Sequence, residues 1–233
     1  MSQNFDVVVI GAGPGGYVAA IRSAQLGFKT AVVEREFLGG VCLNVGCIPS
    51  KAMISATHFL HKAQHDAETM GINIKGISVD FKKMKDWKQS VCDRMSGGVG
   101  TLLKGNGVTQ IMGAAEFKSA KEISVKSSKG TESITAKHFI VATGSRPIEI
   151  PGFAFDEKDI MSSTGALALE KIPKSIIVIG GGYIGLEISG YLAKLGTEVT
   201  VVEAAPALLN GVVDPECAQV VARKLKKLGV NVI

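Results

Sequence analysis

The feature of this chain that most constrains its fold is an internal repeat. The segment DVVVIGAGPGGYVAAIRSAQLGFKTAVVE, Asp6 to Glu34, matches SIIVIGGGYIGLEISGYLAKLGTEVTVVE, Ser175 to Glu203, without a gap. Each copy has the pattern of a β-branched strand, a glycine turn, an amphipathic helix ending at Leu-Gly, and a second β-branched strand ending in Glu. The repeat therefore predicts two β-α-β units, each with a parallel sheet.

Each copy carries the motif G-x-G-x-x-G where its first strand meets its helix. The first glycine permits a tight turn, the second lets the backbone approach a pyrophosphate, and the third lets the helix pack closely on the strand. The start of the helix then offers N–H groups and the positive end of its dipole to a phosphate. One such motif is weak evidence, but two complete units predict two dinucleotide sites. The glycines are Gly11, Gly13 and Gly16 in the first copy and Gly180, Gly182 and Gly185 in the second.

Both units end in an acidic residue, Glu34 and Glu203. A carboxylate at this position can accept a hydrogen bond from a ribose 2′-hydroxyl. It would repel a 2′-phosphate, and no basic residue stands next to Glu203 to reverse that effect. If the second site holds a nicotinamide nucleotide, we expect NAD rather than NADP.

Two cysteines, Cys42 and Cys47, lie close together in the run GGVCLNVGCIPSK. Pro49 suits the first turn of a helix, which places Cys47 at a helix N-terminus, where the dipole lowers the pKa of the thiol and makes it a better nucleophile. A zinc site is disfavoured because no second pair of ligands follows. A disulfide across so short a loop would stabilise the fold little. Two readings remain, a redox pair and two reduced cysteines in a core, and the neighbouring dinucleotide units favour the redox pair.

The rest of the pattern indicates an α/β protein with two Rossmann-like dinucleotide-binding domains, the second incomplete. We expect a helical segment from Asn44 to Met70, a helix from Phe81 to Lys104 interrupted around Gly97-Gly98, and an antiparallel β insertion within 116–145. The final residues 230–233 resemble the start of a third strand of the second unit. The predicted domains are 1–150 for the first and 151–233 for the second, the boundary being marked by Pro147 and Pro151.

Composition narrows the functional classes. Of the 233 residues, 46% are hydrophobic, which suffices for a packed core. The net charge of +5 comes from scattered Lys and Arg, so we expect no nucleic-acid partner. No charged-then-apolar leader precedes the first strand, and no apolar run approaches roughly 18 residues, so we expect a soluble, cytoplasmic chain without a membrane segment.

Four motifs together resemble the dihydrolipoamide dehydrogenases, a branch of the pyridine nucleotide-disulfide oxidoreductases. The motifs are GAGPGGYVAA, GGVCLNVGCIPSK, VATGSRP and GGGYIGLE. The resemblance covers essentially the whole chain and implies FAD in the first domain and NAD in the second. It implies an enzyme that oxidises dihydrolipoamide to lipoamide through a Cys42–Cys47 disulfide and FAD, and that reduces NAD to NADH.

The resemblance also implies residue roles. Cys42 would exchange with dihydrolipoamide, Cys47 would contact the flavin, and Lys51 would lie near the flavin ring with Glu187 as its partner. The two residues could form an ion pair if both of their helices begin at a shared cofactor. Further cofactor contacts are implied around the first site, Pro14, Gly15, Arg35, Gly40, Val41, Ala115, Thr143, Gly144 and Ser145, and around the second, Tyr183 and Ile184.

The chain departs from the family in one respect. The family's catalytic His-Glu pair lies in a C-terminal dimerisation domain, and none of the four histidines here, His58, His61, His65 and His138, stands in that motif. The first three recur at helical spacing, but with no further ligand beside them we predict a polar helix face and no metal site. We therefore interpret the chain as a fragment that would hold FAD weakly and would not turn over alone.

The resemblance implies partners as well: lipoyl domains and the core acyltransferase of 2-oxo acid dehydrogenase complexes or the glycine cleavage H protein, and a homodimer when full-length. Two alternatives remain open. One is a related flavin disulfide or mercuric reductase, against which Glu203 and the run Ile48-Pro49-Ser50-Lys51 argue. The other is a non-catalytic nucleotide-binding fragment.

Overall fold

The computed structural model describes residues 3–233, which form two compact units. Unit 1 comprises the chain up to Ile48 together with Ser90–Arg146, and unit 2 comprises Pro49–Gln89 together with Pro147–Ile233. The division into domains 1–150 and 151–233 stays a prediction. The compact units depart from it by grouping Pro49–Gln89 with the second half of the chain.

Unit 1 is built on a six-stranded sheet with the strand order β3-β2-β1-β6-β5-β4. The first four strands in this order run parallel, and β5 pairs antiparallel with both β6 and β4. The predicted antiparallel insertion is thus confirmed, and it continues the parallel sheet through β6. The elements are β1 (Gln3–Ile10), α1 (Pro14–Gln25), β2 (Thr30–Glu34), α2 (Gly40–Asn44), β3 (Thr109–Met112), β4 (Ala114–Ser119), β5 (Glu122–Ser127) and β6 (Gly130–Val141).

Both faces of the parallel part of this sheet are buried. Because side chains alternate along a strand, Val7 and Val9 of β1 point to one face and Val8 and Ile10 to the other. The first face packs on helices through one apolar cluster, and the second packs on the antiparallel strands through another. This double burial explains the uninterrupted apolar run that opens the chain.

Unit 2 is built on a smaller parallel sheet with the strand order β7-β8-β9. The third strand that the last residues predicted is therefore confirmed. The strands are β7 (Ser175–Ile179), β8 (Glu198–Val202) and β9 (Asn231–Val232); the helices are α3 (Cys47–His65), a 3-10 turn (Glu68–Met70), α5 (Ser163–Leu167), α6 (Tyr183–Lys194) and α7 (Pro215–Lys227). The first two residues of α3 belong to unit 1.

Among the described residues, one face of the unit 2 sheet is covered and the other is exposed. Leu192 of α6 and Val199 and Val201 of β8 are buried in the same apolar cluster. The opposite face carries Ile177, Ile179 and Val202, which are 68%, 48% and 37% exposed. Their counterparts in the repeat are buried in unit 1, beneath the antiparallel strands: Val8, Ile10 and Val33. The two copies of the repeat thus differ mainly in what covers this face.

One sequence prediction about a helix is wrong. Helix α4 (Phe81–Gly105) continues through Gly97 and Gly98 without the expected interruption. Glycine costs a helix about 1 kcal/mol relative to alanine. Burial of Val99 and Leu103 on the sheet side of α4 offsets that cost and holds the helix together.

No helix among the described residues is both long enough and apolar enough to cross a membrane.

The core of unit 1 gives a matched test of packing. Leu103 is fully buried in the helix-side cluster, whereas its neighbour Leu102 is 55% exposed. We expect Leu103→Ala to lower the free energy of unfolding by about 2–5 kcal/mol, because it leaves a cavity. Leu102→Ala should change it by no more than about 0.5 kcal/mol. Urea denaturation followed by circular dichroism measures both, and equal effects would contradict the described packing.

Candidate functional site

The first glycine loop connects β1 to α1, and its conformation requires glycine at two positions. Gly11 has φ +100°, a conformation that side chains with a Cβ rarely adopt, and a Cβ there would overlap the carbonyl oxygen of Ala142. A Cβ on Gly16 would overlap the carbonyl oxygen of Gly11. The predicted close packing of helix on strand is therefore confirmed for the first copy.

The helix that follows each loop begins without a side-chain cap. Gly13 is the N-cap of α1, with Pro14 after it, and Gly182 is the N-cap of α6. Neither helix has an acidic residue in its first turn. Because the first N–H groups of a helix have no intrahelical partner, both ends suit a bound anion. Both loops therefore fit the pyrophosphate of a dinucleotide.

The two acidic residues are tied to the glycine loops. Glu34 Oε2 accepts a hydrogen bond from Ala12 N–H at 2.7 Å, and its Oε1 accepts from Arg35 and Glu36 N–H at 2.8 and 2.9 Å. Glu203 Oε2 accepts from Gly181 N–H at 2.6 Å, and its Oε1 accepts from Ala205 N–H at 2.7 Å. These bonds were not predicted from the sequence. The expected ribose contacts stay a prediction.

These bonds also influence the titration of Glu203. The backbone N–H groups of Ala205 and Gly181 favour its ionised form and hold the pKa of this carboxyl below its ordinary value. The carboxylate therefore stabilises the loop as an anion at neutral pH.

The cysteine segment lies directly on the first glycine loop. Gly39 N–H donates to the carbonyl oxygen of Ala12 at 2.9 Å, and a Cβ on Gly40 would lie 2.6 Å from the Cα of Gly13. Both Gly39 and Gly40 have positive φ, +86° and +59°. Only glycine at these positions allows the two backbones to approach so closely.

This contact fixes the position of the segment that carries the two cysteines. Cys42 is half-buried in the short helix α2, and Cys47 is exposed as the first residue of α3. The predicted helix N-terminus at Cys47 is thus confirmed. Buried Leu43 anchors α2 in the helix-side core of unit 1, so the segment that carries Cys42 is held in place.

Lys51 and Glu187, both in unit 2, form the expected ion pair. Lys51 Nζ lies 2.6 and 2.7 Å from the two carboxylate oxygens of Glu187, and Ser50 Oγ donates to Oε2 at 3.3 Å. The Lys51 side chain is 58% exposed. Exposed ion pairs contribute at most about 1 kcal/mol to stability, so the main effect of this pair is to orient the lysine. The shared cofactor that motivated the pairing stays a prediction.

Several other residues expected at the first site lie on segments that are hydrogen-bonded to the ends of β1 and β2. The run Thr143 to Ser145 follows β6, whose continuation is held by a bond from Ala142 N–H to the carbonyl oxygen of Ile10 at 2.8 Å. Arg146 then pairs with Glu36 at 2.7 Å.

Gly113 N–H donates to the carbonyl oxygen of Glu34 at 2.7 Å, which brings the strand that carries Ala115 to the end of β2. Arg35 and Val41 are exposed nearby.

The second glycine loop is bordered by exposed side chains and by the segment after β8. Tyr183 and Ile184 are 62% and 48% exposed at the start of α6. The segment after β8 folds onto the loop, because Leu209 N–H donates to the carbonyl oxygen of Gly181 at 2.9 Å. Leu209 and Ser50 were not among the residues predicted from the sequence. The sequence signal for Leu209 was the apolar Leu-Leu pair after Glu203, and the signal for Ser50 was a hydroxyl residue next to Lys51.

Among residues 3–233, no group of three or more His, Cys, Asp or Glu side chains is arranged to hold a metal ion.

Comparison with known proteins gives a consistent result. Residues 5–233 match the family model described as pyridine nucleotide-disulphide oxidoreductase. The chain is 50% identical to a dihydrolipoyl dehydrogenase of Geobacillus stearothermophilus over 228 residues, which cover 98% of this chain and 48% of that protein. It is also 50% identical to a dihydrolipoyl dehydrogenase of Bacillus subtilis, over 96% of this chain and 47% of that protein.

A solved structure supports the fold. The Cu(II) complex of the HOCl-induced flavoprotein disulfide reductase RclA from Escherichia coli superposes with a TM-score of 0.81 at 28% sequence identity. The superposition covers 99% of this chain and 49% of that one. The chain therefore spans about half the length of the relatives it matches.

The first glycine loop provides a test of steric fit. We expect Gly16→Ala to lower the thermal unfolding temperature, because the added methyl group would overlap the carbonyl oxygen of Gly11 and would push α1 away from the loop. Gly15→Ala is the matched control, since nothing lies within 4 Å of a Cβ there and alanine favours the helix. Calorimetry without added nucleotide measures both. A tolerated Gly16→Ala would contradict the loop geometry.

The Glu203 carboxylate gives a pH dependence. Because its folded pKa lies below the ordinary 4.5, its contribution to stability is present above that value and is lost as the pH falls through the folded pKa. We expect the unfolding temperature of Glu203→Gln to fall less between pH 6 and pH 3 than that of the unchanged chain. Glu198→Gln, at the exposed other end of β8, should show the same fall as the unchanged chain. If both variants reduce this fall equally, the backbone bonds of Glu203 are not its cause.

Proposed function

Because the chain belongs to the pyridine nucleotide-disulphide oxidoreductase family, we propose that it is the dinucleotide-binding part of a dihydrolipoyl dehydrogenase. The full-length enzyme would oxidise dihydrolipoamide to lipoamide through Cys42 and Cys47 and would reduce NAD to NADH. A 50% identity to dihydrolipoyl dehydrogenases, against 28% to a flavoprotein disulfide reductase, favours this activity over a related reductase.

One observation supports the proposal above all others: the backbone contact between Gly39-Gly40 and the first glycine loop. It holds the segment with the two cysteines against the start of α1, where a dinucleotide phosphate would bind. Two structural cysteines in a core would not require this approach of two glycine-rich backbones. Their exposure also differs from that of core thiols, since Cys47 is exposed.

In the proposed reaction the two cysteines accept an electron pair from the substrate. One thiolate of dihydrolipoamide attacks the sulfur of Cys42 in a Cys42–Cys47 disulfide, which breaks that bond and releases Cys47 as a thiolate. The second substrate thiol loses its proton and attacks the substrate sulfur of the mixed disulfide. Lipoamide leaves as a disulfide and Cys42 becomes a thiolate. The substrate is oxidised by two electrons and the protein disulfide is reduced by two.

The family uses FAD and NAD, and the residues around both loops fit these groups. The first loop, with Glu34, Ala115 and Thr143 to Ser145 around it, would hold FAD, and the second loop with Glu203 would hold NAD. When bound, FAD supplies a two-electron relay between the dithiol and NAD. The uncapped starts of α1 and α6 would bind the two pyrophosphates.

The ion pair of Lys51 and Glu187 would position a positive charge. Both carboxylate oxygens of Glu187 contact Lys51 Nζ, and Ser50 helps to orient the carboxylate. Lys51 lies one helical turn beyond Cys47 on α3, so the two residues share one face of this helix.

The partners of the full-length protein follow from its proposed activity. Dihydrolipoamide occurs on lipoyl domains, so the surface around Cys42 would receive a lipoyl arm of a 2-oxo acid dehydrogenase complex or of the glycine cleavage H protein. A second subunit would supply the base that accepts the substrate proton. A cytoplasmic location stays a prediction.

The cysteines provide the decisive test. In the full-length protein, we expect Cys42→Ser and Cys47→Ser each to lower the NAD-linked oxidation of dihydrolipoamide by about a thousandfold or more, since either change removes the disulfide. Cys217→Ser is the matched control, because this exposed cysteine lies on α7, outside both loops, and it should keep full activity.

Direct reaction of NADH with an artificial electron acceptor separates loss of the dithiol from loss of the cofactors. We expect this activity to survive in Cys42→Ser and Cys47→Ser, because it needs both nucleotide sites and no disulfide. Retention of dihydrolipoamide oxidation in either variant would refute the proposed function.

A further inference from the structure

A histidine pair on helix α3 lies outside the site described above. His61 and His65 are one helical turn apart, and their ring centroids are separated by 4.5 Å with planes tilted by 47°. Residues at positions i and i+4 share one helix face. The sequence suggested only a polar face here, and the structure adds that these two rings meet.

The surroundings of His61 favour its neutral form. The side chain is half-buried beside His65, which is exposed. Burial is the main cause that lowers the pKa of His61, and the charges of His65 and of Lys194 on α6 lower it further. Asp66 acts in the opposite direction, and His58 adds a small lowering effect.

We propose that His61 and His65 form a two-imidazole chelate for a borderline divalent metal ion such as Ni(II), Cu(II) or Zn(II). Histidines at i and i+4 on a helix recur as a metal-binding pair because both nitrogens reach one point beside the helix. Metal–nitrogen bonds of about 2.0–2.1 Å place adjacent ligand atoms about 3 Å apart, a spacing that two tilted rings in contact can adopt. Imidazole ligands select these metals over Mg(II) and Ca(II).

The chelate has two protein ligands, because no group of three ligand side chains occurs within residues 3–233. Water would complete the coordination, so the site is an exchangeable one. The positive charge of Lys194 opposes a bound cation, whereas Asp66 favours it. The affinity should therefore follow the Irving–Williams order and respond to the charge at position 194.

Nickel titration of the purified, folded chain tests this proposal, with the accessible thiols first alkylated so that their sulfur atoms do not contribute; Cys92 is buried and needs no blocking. We expect His61→Gln and His65→Gln each to weaken Ni(II) binding at least about tenfold in calorimetry, because a single imidazole loses the chelate. We also expect Ni(II) to raise the thermal unfolding temperature of the unchanged chain, since the metal binds only the folded helix. Both variants should lose this increase.

His58→Gln is the matched control, because it removes an exposed histidine of the same helix that has no such ring contact within the described residues. It should not weaken Ni(II) binding, because it removes no ligand, and Lys194→Gln should strengthen binding by removing a positive charge. The proposal is overturned if the unchanged chain binds no Ni(II), if binding survives His61→Gln combined with His65→Gln, or if His58→Gln weakens it equally. None of these measurements depends on flavin, NAD or enzyme activity.

Discussion

The hydrogen bond between a strand-ending carboxylate and a glycine loop is the interaction on which the rest of both sites depends. In each β-α-β unit the first loop glycine donates its N–H to the strand carbonyl just before the acidic residue, at 2.8 Å in both copies. The next N–H then binds the carboxylate itself, of Glu34 or of Glu203. A single rigid frame thus fixes the loop, the start of the helix and the end of the second strand before any ligand arrives. Preorganisation of this kind reduces the ordering cost of binding.

On this frame the two copies have acquired different neighbours. In the first copy the antiparallel strands cover the far face of the sheet, and the cysteine segment packs onto the loop. In the second copy the loop is covered by the segment around Leu209, while Lys51 from another helix pairs with Glu187 on the helix that follows the loop. The same β-α-β frame thus carries a cysteine segment in one copy and an ion pair in the other.

Much of this arrangement was predictable from sequence, because its signals are local. Glycine spacing, β-branched runs and a proline near Cys47 predicted both loops, the paired strands and the helix start at Cys47. The continuity of α4 was not predictable from Gly97-Gly98, because burial of distant side chains decides it. The bonds of Glu34 and Glu203 were missed for a related reason: sequence shows which residue ends a strand, but not which N–H its side chain meets. Likewise, a hydrophobic pattern marks the buried face of the segment 49–89 without showing which half of the chain it joins.

The open face of the unit 2 sheet has a practical consequence for handling the chain. Ile177, Ile179 and Val202 present an apolar surface beside the edge of β7, which has a strand on only one side in the described sheet. Surfaces of this type bind hydrophobic fluorescent dyes and promote aggregation at high protein concentration. Replacing Ile177, which lies farther from the second glycine loop than Ile179 and Val202, with lysine or threonine would therefore improve the solubility of the chain.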